Sequence, residues 1–280
     1  MFDSATGAEL YTPLMTKADC EEGYYCETSV SPNRANSWPT NTTTFCDVGQ
    51  YCPMKSTVAI ACDPGFFQFN KVQEKCIECP AGYFCDDPSV IDKDNFVGSY
   101  KCFKGHYCPQ GTVNGDDNPC PPGTYNPNFG AKALSECIPA PPGFYIANHG
   151  QDALVTTDLC DAGYYCMLGS YTATPAGGNV FTENTYTLLY NDIGGPCEDG
   201  FYCPEGTPYM IPCTPGYICD NTINGGPVTV PTKLCDAGYY CEQGTYDSIK
   251  DQCPRGYYCI EGSAEPIPCP AGTYSNTLEL

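Results

Sequence analysis

Residues 235–241 read Cys235-Asp236-Ala237-Gly238-Tyr239-Tyr240-Cys241, a C-x-x-G-[aromatic]-[aromatic]-C motif. The same seven letters recur at 160–166. Close variants begin at Cys20 (CEEGYYC), Cys79 (CPAGYFC), Cys102 (CFKGHYC), Cys197 (CEDGFYC) and Cys253 (CPRGYYC). Cys213 opens CTPGYIC, with isoleucine in the second aromatic slot, and Cys46 opens CDVGQYC, with only the second aromatic. A sister form without the near second cysteine appears as CDPGFF from Cys62, CPPGTY from Cys120 and CPAGTY from Cys269. Cys137 opens a stretched copy, CIPAPPGFY. Repetition at so short a period decides the architecture: the chain is a series of small units rather than one large core.

Six residue steps separate the motif's two cysteines, so the segment closes as one tight loop. The glycine stands midway, where a positive φ is free of steric cost only for glycine. The two aromatics follow in an extended piece and face opposite ways. One covers the module's own disulfide and the other its neighbour's. A disulfide across this loop contributes about 2.4 kcal/mol, which is small beside the entropy of ordering a ~20-residue module. Aromatic burial must add to it, and the nearest partner surface is the next module. The expected fold is therefore a small disulfide-rich one: an elongated, linear array of short β-hairpin and loop modules with little regular secondary structure. Each repeat is expected to contact only its neighbours.

Composition agrees. The chain carries 23 cysteines in 280 residues, a density of oxidised, extracytosolic scaffolds, which predicts an extracellular or cell-surface protein. It has 29 glycines and 27 prolines, so long helices and a large sheet are not expected, and apolar residues nowhere recur at 3.6 spacing over three turns. Twelve basic residues face 33 acidic ones, a net charge of −21, which excludes nucleic acid and anionic membrane surfaces as partners. No apolar run approaches the length of a membrane span. Met1-Phe2-Asp3-Ser4 opens on an acid, without the basic and apolar regions of a signal peptide. A disulfide array must be exported, so the chain is expected to be a piece of a longer precursor.

Residues 1–19 read as a lead-in or the end of a preceding module. Disulfide modules occupy 20–166 and 197–280, the last one incomplete, with a Ser/Thr-rich insert at 27–45 that holds the only tryptophan, Trp38. A second insertion, 167–196, contains Asn179–Thr182 and Tyr186–Tyr190, both rich in β-formers, and is expected to form a hairpin. After the motif, C-x-x-G-[ST] follows from Cys108, Cys166, Cys203, Cys241 and Cys259. A glycine and a small hydroxyl residue there predict a turn that hands the chain on.

Two pairing schemes fit the cysteines. In the local scheme the bridges are Cys20–Cys26, Cys46–Cys52, Cys79–Cys85, Cys102–Cys108, Cys160–Cys166, Cys197–Cys203, Cys213–Cys219, Cys235–Cys241 and Cys253–Cys259. Cys62–Cys76 and Cys120–Cys137 then close longer loops in the sister form. Cys269 is left over; by analogy its partner falls about 14–17 residues later, beyond Leu280. An interchain disulfide or a free thiol are the other readings of Cys269. The rival scheme is a staggered ladder, Cys26–Cys46 and Cys52–Cys62 onward. It is disfavoured because its bridges would span inserts of different lengths.

The CPAGTYS at 269–275, the CPPGTYN at 120–126 and the C-P-x-G-Y-Y-C forms resemble the ephrin-receptor-like cysteine-rich repeats, distant relatives of the TNF-receptor type, common in long surface proteins of protists. The resemblance covers about residues 20–275. It implies an extracellular spacer, adhesion or receptor unit, and it brings no catalytic residues. The irregular module spacing and the two inserts depart from a regular repeat.

Sites of chemistry are few. His106 takes an aromatic slot and is expected to be a packed ring, and His149 lies in the turn Ala147–Gly150. No serine or cysteine sits in a catalytic signature with histidine and acid, so no enzyme is expected. Cys76-Ile77-Glu78-Cys79 is a lone C-x-x-C without the βαβ context of a redox motif. Zinc would need reduced thiolates, commonly at closer spacing. No metal ligands and no cofactor are assigned. Asn114-Gly115-Asp116-Asp117-Asn118, Asp86-Asp87 and Asp92-Lys93-Asp94-Asn95 offer hard oxygen donors for calcium, but they serve equally well as solvated turns. Asn41-Thr42-Thr43 is the one N-x-[ST] sequon and predicts an N-linked glycan on Asn41. Ser31-Pro32, Ser37–Thr40 and Thr42–Thr44 suit O-linked sugar. The sequence thus reads as an extracellular structural protein, a disulfide-stapled rod that assembles with itself into a filament or surface coat. The alternative is the ectodomain of a receptor or adhesion protein with extracellular partners.

Overall fold

The computed structural model describes residues 20–26, 43–88, 100–177 and 193–275. Regular structure there is scarce. Strands are two or three residues long, and the helical content is a 3-10 turn at Leu134–Glu136 and a four-residue helix at Asn221–Asn224. Asp220 caps that helix through its side chain, which accepts from the backbone N–H groups of Thr222 and Ile223.

Every sheet is a two-stranded antiparallel hairpin built by one rule. The first strand covers the motif's own two aromatic slots, whichever residues fill them. The second is the segment that runs into the next module. Thus β1 (Tyr24–Cys26) pairs with β2 (Thr43–Phe45), β3 (Gln50–Tyr51) with β4 (Ile60–Ala61), and β5 (Phe66–Phe67) with β6 (Ile77–Glu78). Likewise β7 (Thr124–Tyr125) pairs with β8 (Ile138–Pro139), β9 (Tyr164–Cys166) with β10 (Gly194–Pro196), and β11 (Phe201–Tyr202) with β12 (Ile211–Pro212). The last pairs are β13 (Tyr217–Ile218) with β14 (Lys233–Leu234) and β15 (Tyr257–Tyr258) with β16 (Ile267–Pro268). Single bridges Tyr83–Lys101, His106–Pro119, Phe144–Leu159 and Tyr239–Gln252 repeat the pattern in the remaining modules. The chain divides into two compact units, one of Met1–Lys101 with Cys108–Gly115 and one of Cys102–Tyr107 with Asp116–Leu280. The first holds β1 to β6 and the second β7 to β16.

Each motif bends as a β-turn with its glycine third. In the 160–166 module Tyr164 N–H donates to the Asp161 carbonyl at 3.0 Å, and Gly163 has φ +93°, the region a type II turn requires. Gly163 then joins the next module at both of its backbone groups: its N–H donates to the Cys203 carbonyl, and its carbonyl accepts from Cys197 N–H. The same two bonds recur at Gly200, with Cys219 and Cys213, and at Gly216, with Cys241 and Cys235. Buried backbone groups are thereby paired where the described residues hold almost no helix or sheet to do it.

The core is made of cystines. Local bridges join Cys20–Cys26, Cys46–Cys52, Cys79–Cys85, Cys160–Cys166, Cys197–Cys203, Cys213–Cys219, Cys235–Cys241 and Cys253–Cys259. Cys62–Cys76 and Cys120–Cys137 close the longer loops. Cys102 and Cys108 are also disulfide-bonded, and Cys269 is a free thiol. Such a disulfide density fits an extracellular protein. The two aromatic slots divide the covering as their alternation predicts. Tyr217 packs on its own bridge, Cys213–Cys219, and Tyr202 of the preceding module packs on the same bridge. Tyr239 and Ile218 do so at Cys235–Cys241, and Tyr83 and Phe67 at Cys79–Cys85.

One module boundary differs from the reading of the sequence. The unit after Cys120 begins at Ala140, not at Cys137. Ala140 N–H donates to the Gly123 carbonyl and Gly123 N–H to the Ile146 carbonyl, so Ala140 and Ile146 stand where the motif's two cysteines would. They are buried in place of a cystine. Cys137 belongs to the preceding module and lies three residues before Ala140, as Cys76 lies three before Cys79. In the sister modules Gln68, Asn126 and Ser275 fill the second cysteine position and are buried.

Candidate interaction surface

The motif glycines do more than turn. An ideal Cβ built on Gly123 would lie 2.2 Å from the carbonyl oxygen of Gly169. The same contact recurs between Gly105 and Gly150, Gly143 and Gly206, Gly200 and Gly244, Gly216 and Gly262, and Gly65 and Gly111. In each case the carbonyl belongs to the second turn of the module two places further on. The separation is 44 to 46 residues, except for Gly143 and Gly206, which lie either side of the 167–196 insertion. The expectation that each repeat touches only its neighbours is therefore corrected: contacts reach the second neighbour, because only a glycine Cα lets that carbonyl so close. Each of these six glycines is a socket and each of these second turns a plug. Among the described residues no atom lies within 4 Å of a Cβ built on Gly256 or Gly272.

The second turn, expected to hand the chain on, first docks backward. Gly206 N–H donates to the Cys160 carbonyl, and Thr207 accepts at its carbonyl from Cys166 N–H. Gly244 with Thr245, and Gly262 with Ser263, repeat both bonds on the modules before them. The hydroxyl residue holds the turn's shape. Thr112 Oγ1 donates to the Pro109 carbonyl at 2.6 Å, Thr245 Oγ1 to Glu242 at 2.8 Å and Ser263 Oγ to Ile260 at 2.7 Å. These side chains are buried, so the small hydroxyl is a structural pin.

A further repeated feature escaped the sequence reading. Isoleucine stands two residues before the next module in β4, β6, β8, β12 and β16, opposite Tyr51, Phe67, Tyr125, Tyr202 and Tyr258. Such aliphatic–aromatic cross-strand pairs stabilise a hairpin. The signal was Ile-x-Cys, or Ile-x-Ala at 138–140, present beside the motif.

Candidate chemical groups take structural or solvent-facing places. His106 packs against Gly150 and Pro119, with Nδ1 2.9 Å from the Lys104 carbonyl. His149 lies exposed in a turn. Cys76 and Cys79, the C-x-x-C pair, belong to different disulfides. Asp116 and Asp117 are exposed in a turn, and among the described residues no three metal-binding side chains cluster. The acid surface has local structure. Lys233 donates to Asp236 at 2.9 Å and holds its carboxyl below the usual range. Glu22 is pushed up because it shares a hydrogen bond, and repels charge, with Glu74. A cleft of about 470 Å³ opens in the second unit, lined by Tyr165, Pro196, Glu198, Asp199 and Pro227 among others.

Asn41, Trp38, the acids at 92–95 and both β-rich stretches of the 167–196 insertion lie outside the described residues. Among the described residues no helix is long and apolar enough to cross a membrane. No protein-family model matches the chain, and no curated protein matches it.

Proposed function

We propose that the protein is an extracellular structural element, a run of disulfide modules that assembles with itself into a filament or surface coat. The observation that carries this reading is the junction itself. The same donor and acceptor pair, glycine N–H to cysteine carbonyl and cysteine N–H to glycine carbonyl, joins module after module. A scaffold that extends by one repeated contact needs such a self-complementary rule, and a non-closing contact between copies yields a filament. The charge of −21 opposes association at low salt, while screening acts within about 8 Å at physiological ionic strength. Apolar groups and backbone edges therefore make the contacts, with calcium bridging of acids as a subsidiary element. The ephrin-receptor-like resemblance and an N-linked glycan on Asn41 belong to the same reading. Electron microscopy of the purified protein at physiological salt tests it: linear polymers are expected, and single particles at every concentration refute it. The cleft at Tyr165 favours the second reading, a ligand-presenting ectodomain, which soluble partners captured there in a binding assay would support.

A further inference from the structure

We propose that residues 138–159 are an extensible element, an enclosed module that tension unravels in full while every cystine stays intact. The inference goes beyond the self-assembly reading, since it holds for a filament and for an ectodomain alike. It starts from the module bounded by Ala140 and Ile146. Among the described modules that have a neighbour on either side, this one alone has no cystine. The chain runs uncrosslinked from Cys137, bridged to Cys120, as far as Cys160, bridged to Cys166. Those 22 residues form the longest such run that is described throughout; 220–234, with 15, comes next.

The difference lies in the path that a load takes. In a bridged motif the load crosses the disulfide, and the turn with its glycine lies off the path. Between Ala140 and Ile146 there is only backbone to follow, so the load runs through Gly143. That glycine is the socket for Gly206, whose carbonyl oxygen lies 2.5 Å from an ideal Cβ on it. The same run holds the plug of the Gly105 socket, at Gly150. A whole docking unit is thus open to tension, whereas bridged modules keep their glycine inside a disulfide loop. What holds the run is a short set of backbone contacts. Phe144 and Leu159 form a single β-bridge. Gly143 N–H donates to the Cys166 carbonyl at 2.8 Å, Ile146 N–H to Ser170 at 3.0 Å and Gly150 N–H to Cys120 at 2.8 Å. Cys160 N–H donates to the Gly143 carbonyl at 3.0 Å. These outside partners stand in or beside the loops locked by Cys120–Cys137 and Cys160–Cys166. They keep their places when the run opens, so it has a template to return to. The 23 steps from Cys137 to Cys160 span about 80 Å drawn straight. A six-step bridge at Ala140 and Ile146 would lower the opening equilibrium by a factor of about 50, and its absence leaves this run the first to open.

Hydrogen exchange on the full oxidised chain tests the opening, because the amide at the motif's last position makes the same bond in several modules. Ile146 donates to Ser170, Cys166 to Thr207, Cys219 to Thr245 and Cys241 to Ser263. Ile146 is expected to exchange at least tenfold faster than the three cysteine amides, with the same urea dependence as Tyr145 and Gly150. Ala140→Cys with Ile146→Cys, once peptide mapping shows the bridge, is expected to slow the amide at 146 at least tenfold. Ile146→Val, which needs no new bridge, is expected to speed Tyr145, Gly150 and residue 146 by one common factor of about 2 to 10. An optical trap holding the same chains by their ends reads the extension. The parent is expected to show a step of up to about 80 Å, shortened by about 14 Å in the bridged variant. Protection of Ile146 equal to that of the cysteine amides, or an effect of Ile146→Val on residue 146 alone, overturns the unit. If no step in the trap shortens with the bridge, the run opens but does not extend the chain, and the proposal falls. Self-assembly, read by electron microscopy, is decided separately.

Discussion

Replacing Gly123 with alanine tests the two-module contact against a built-in control. Gly123 and Gly256 have nearly the same backbone, φ +82° and +84°. An alanine at either position carries the cost of the left-handed region, about 1–2 kcal/mol. They differ in what the new methyl meets among the described residues: the Gly169 carbonyl oxygen at 2.2 Å for Gly123, and nothing within 4 Å for Gly256. Real Cβ atoms essentially never lie under 3.0 Å, so the second turn of the 160–166 module must retreat by at least 0.8 Å. Overpacking of this kind costs about 1–3 kcal/mol. Retreat stretches the bonds that seat the turn, Gly169 N–H to Ala140 and Ile146 N–H to Ser170, now 2.8 and 3.0 Å. Hydrogen exchange of the Gly169 and Ile146 amides reads the effect locally, which suits a repeat array better than a single global melt. Gly123→Ala is expected to speed their exchange on the order of 5- to 150-fold, because 1.4 kcal/mol is a factor of ten. Gly256→Ala is expected to leave both unchanged. Equal effects of the two substitutions on these amides, or none from Gly123→Ala, would refute the socket-and-plug contact.

The double substitution Ala140→Cys with Ile146→Cys should form a twelfth bridge, stabilising that module by about 2.4 kcal/mol; non-reducing peptide mapping shows it directly, and two persistent thiols would place Ala140 and Ile146 elsewhere than a cystine position. Thr245→Val removes the hydroxyl bond to the Glu242 carbonyl at a cost of about 1 kcal/mol, seen as faster exchange of the Cys219 amide, which donates to the Thr245 carbonyl, while Thr245→Ser retains protection. Glu22 is raised by the hydrogen bond and charge of Glu74. The folded form therefore holds its proton more tightly than the unfolded chain, and this contribution is present at acid pH and lost as pH rises from the ordinary glutamate range through the folded value. Exchange in the 20–26 module should accelerate across that window, and Glu22→Gln should flatten the dependence.

What lies inside one module was legible in the sequence. Glycine between two cysteines and before two aromatics spelled out a turn, a short strand and the material of a small core, and the hairpins that hold Tyr164–Cys166 or Tyr217–Ile218 follow from it. What joins modules was not. The closeness of Gly123 to a carbonyl 46 residues away leaves no local trace, since glycine is already demanded there by the turn. The threonine after the second glycine resembled a loop residue until its buried bond to the carbonyl three residues back was visible. The boundary at Ala140 was hidden because the cysteines themselves served as the ruler, and this unit has neither.

The short cystines also set how the chain responds to a pull. Cys213 and Cys219 have Cα atoms 5.8 Å apart, whereas six residue steps drawn straight would span about 20 Å. Each local bridge thus withholds about 14 Å of contour. The bridges at Cys62–Cys76 and Cys120–Cys137, 14 and 17 residues apart in the chain, withhold roughly 40–50 Å each. Tension along the backbone passes through sulfur at each bridged motif, so the turn and its glycine stay slack inside a covalent shortcut. Stretching can peel one hairpin strand from the next, but it cannot unravel a motif until a reductant cuts its bridge. Under oxidising conditions extensibility therefore lies in the linkers between cystines, and reduction would release the length held inside each bridge in discrete, countable steps.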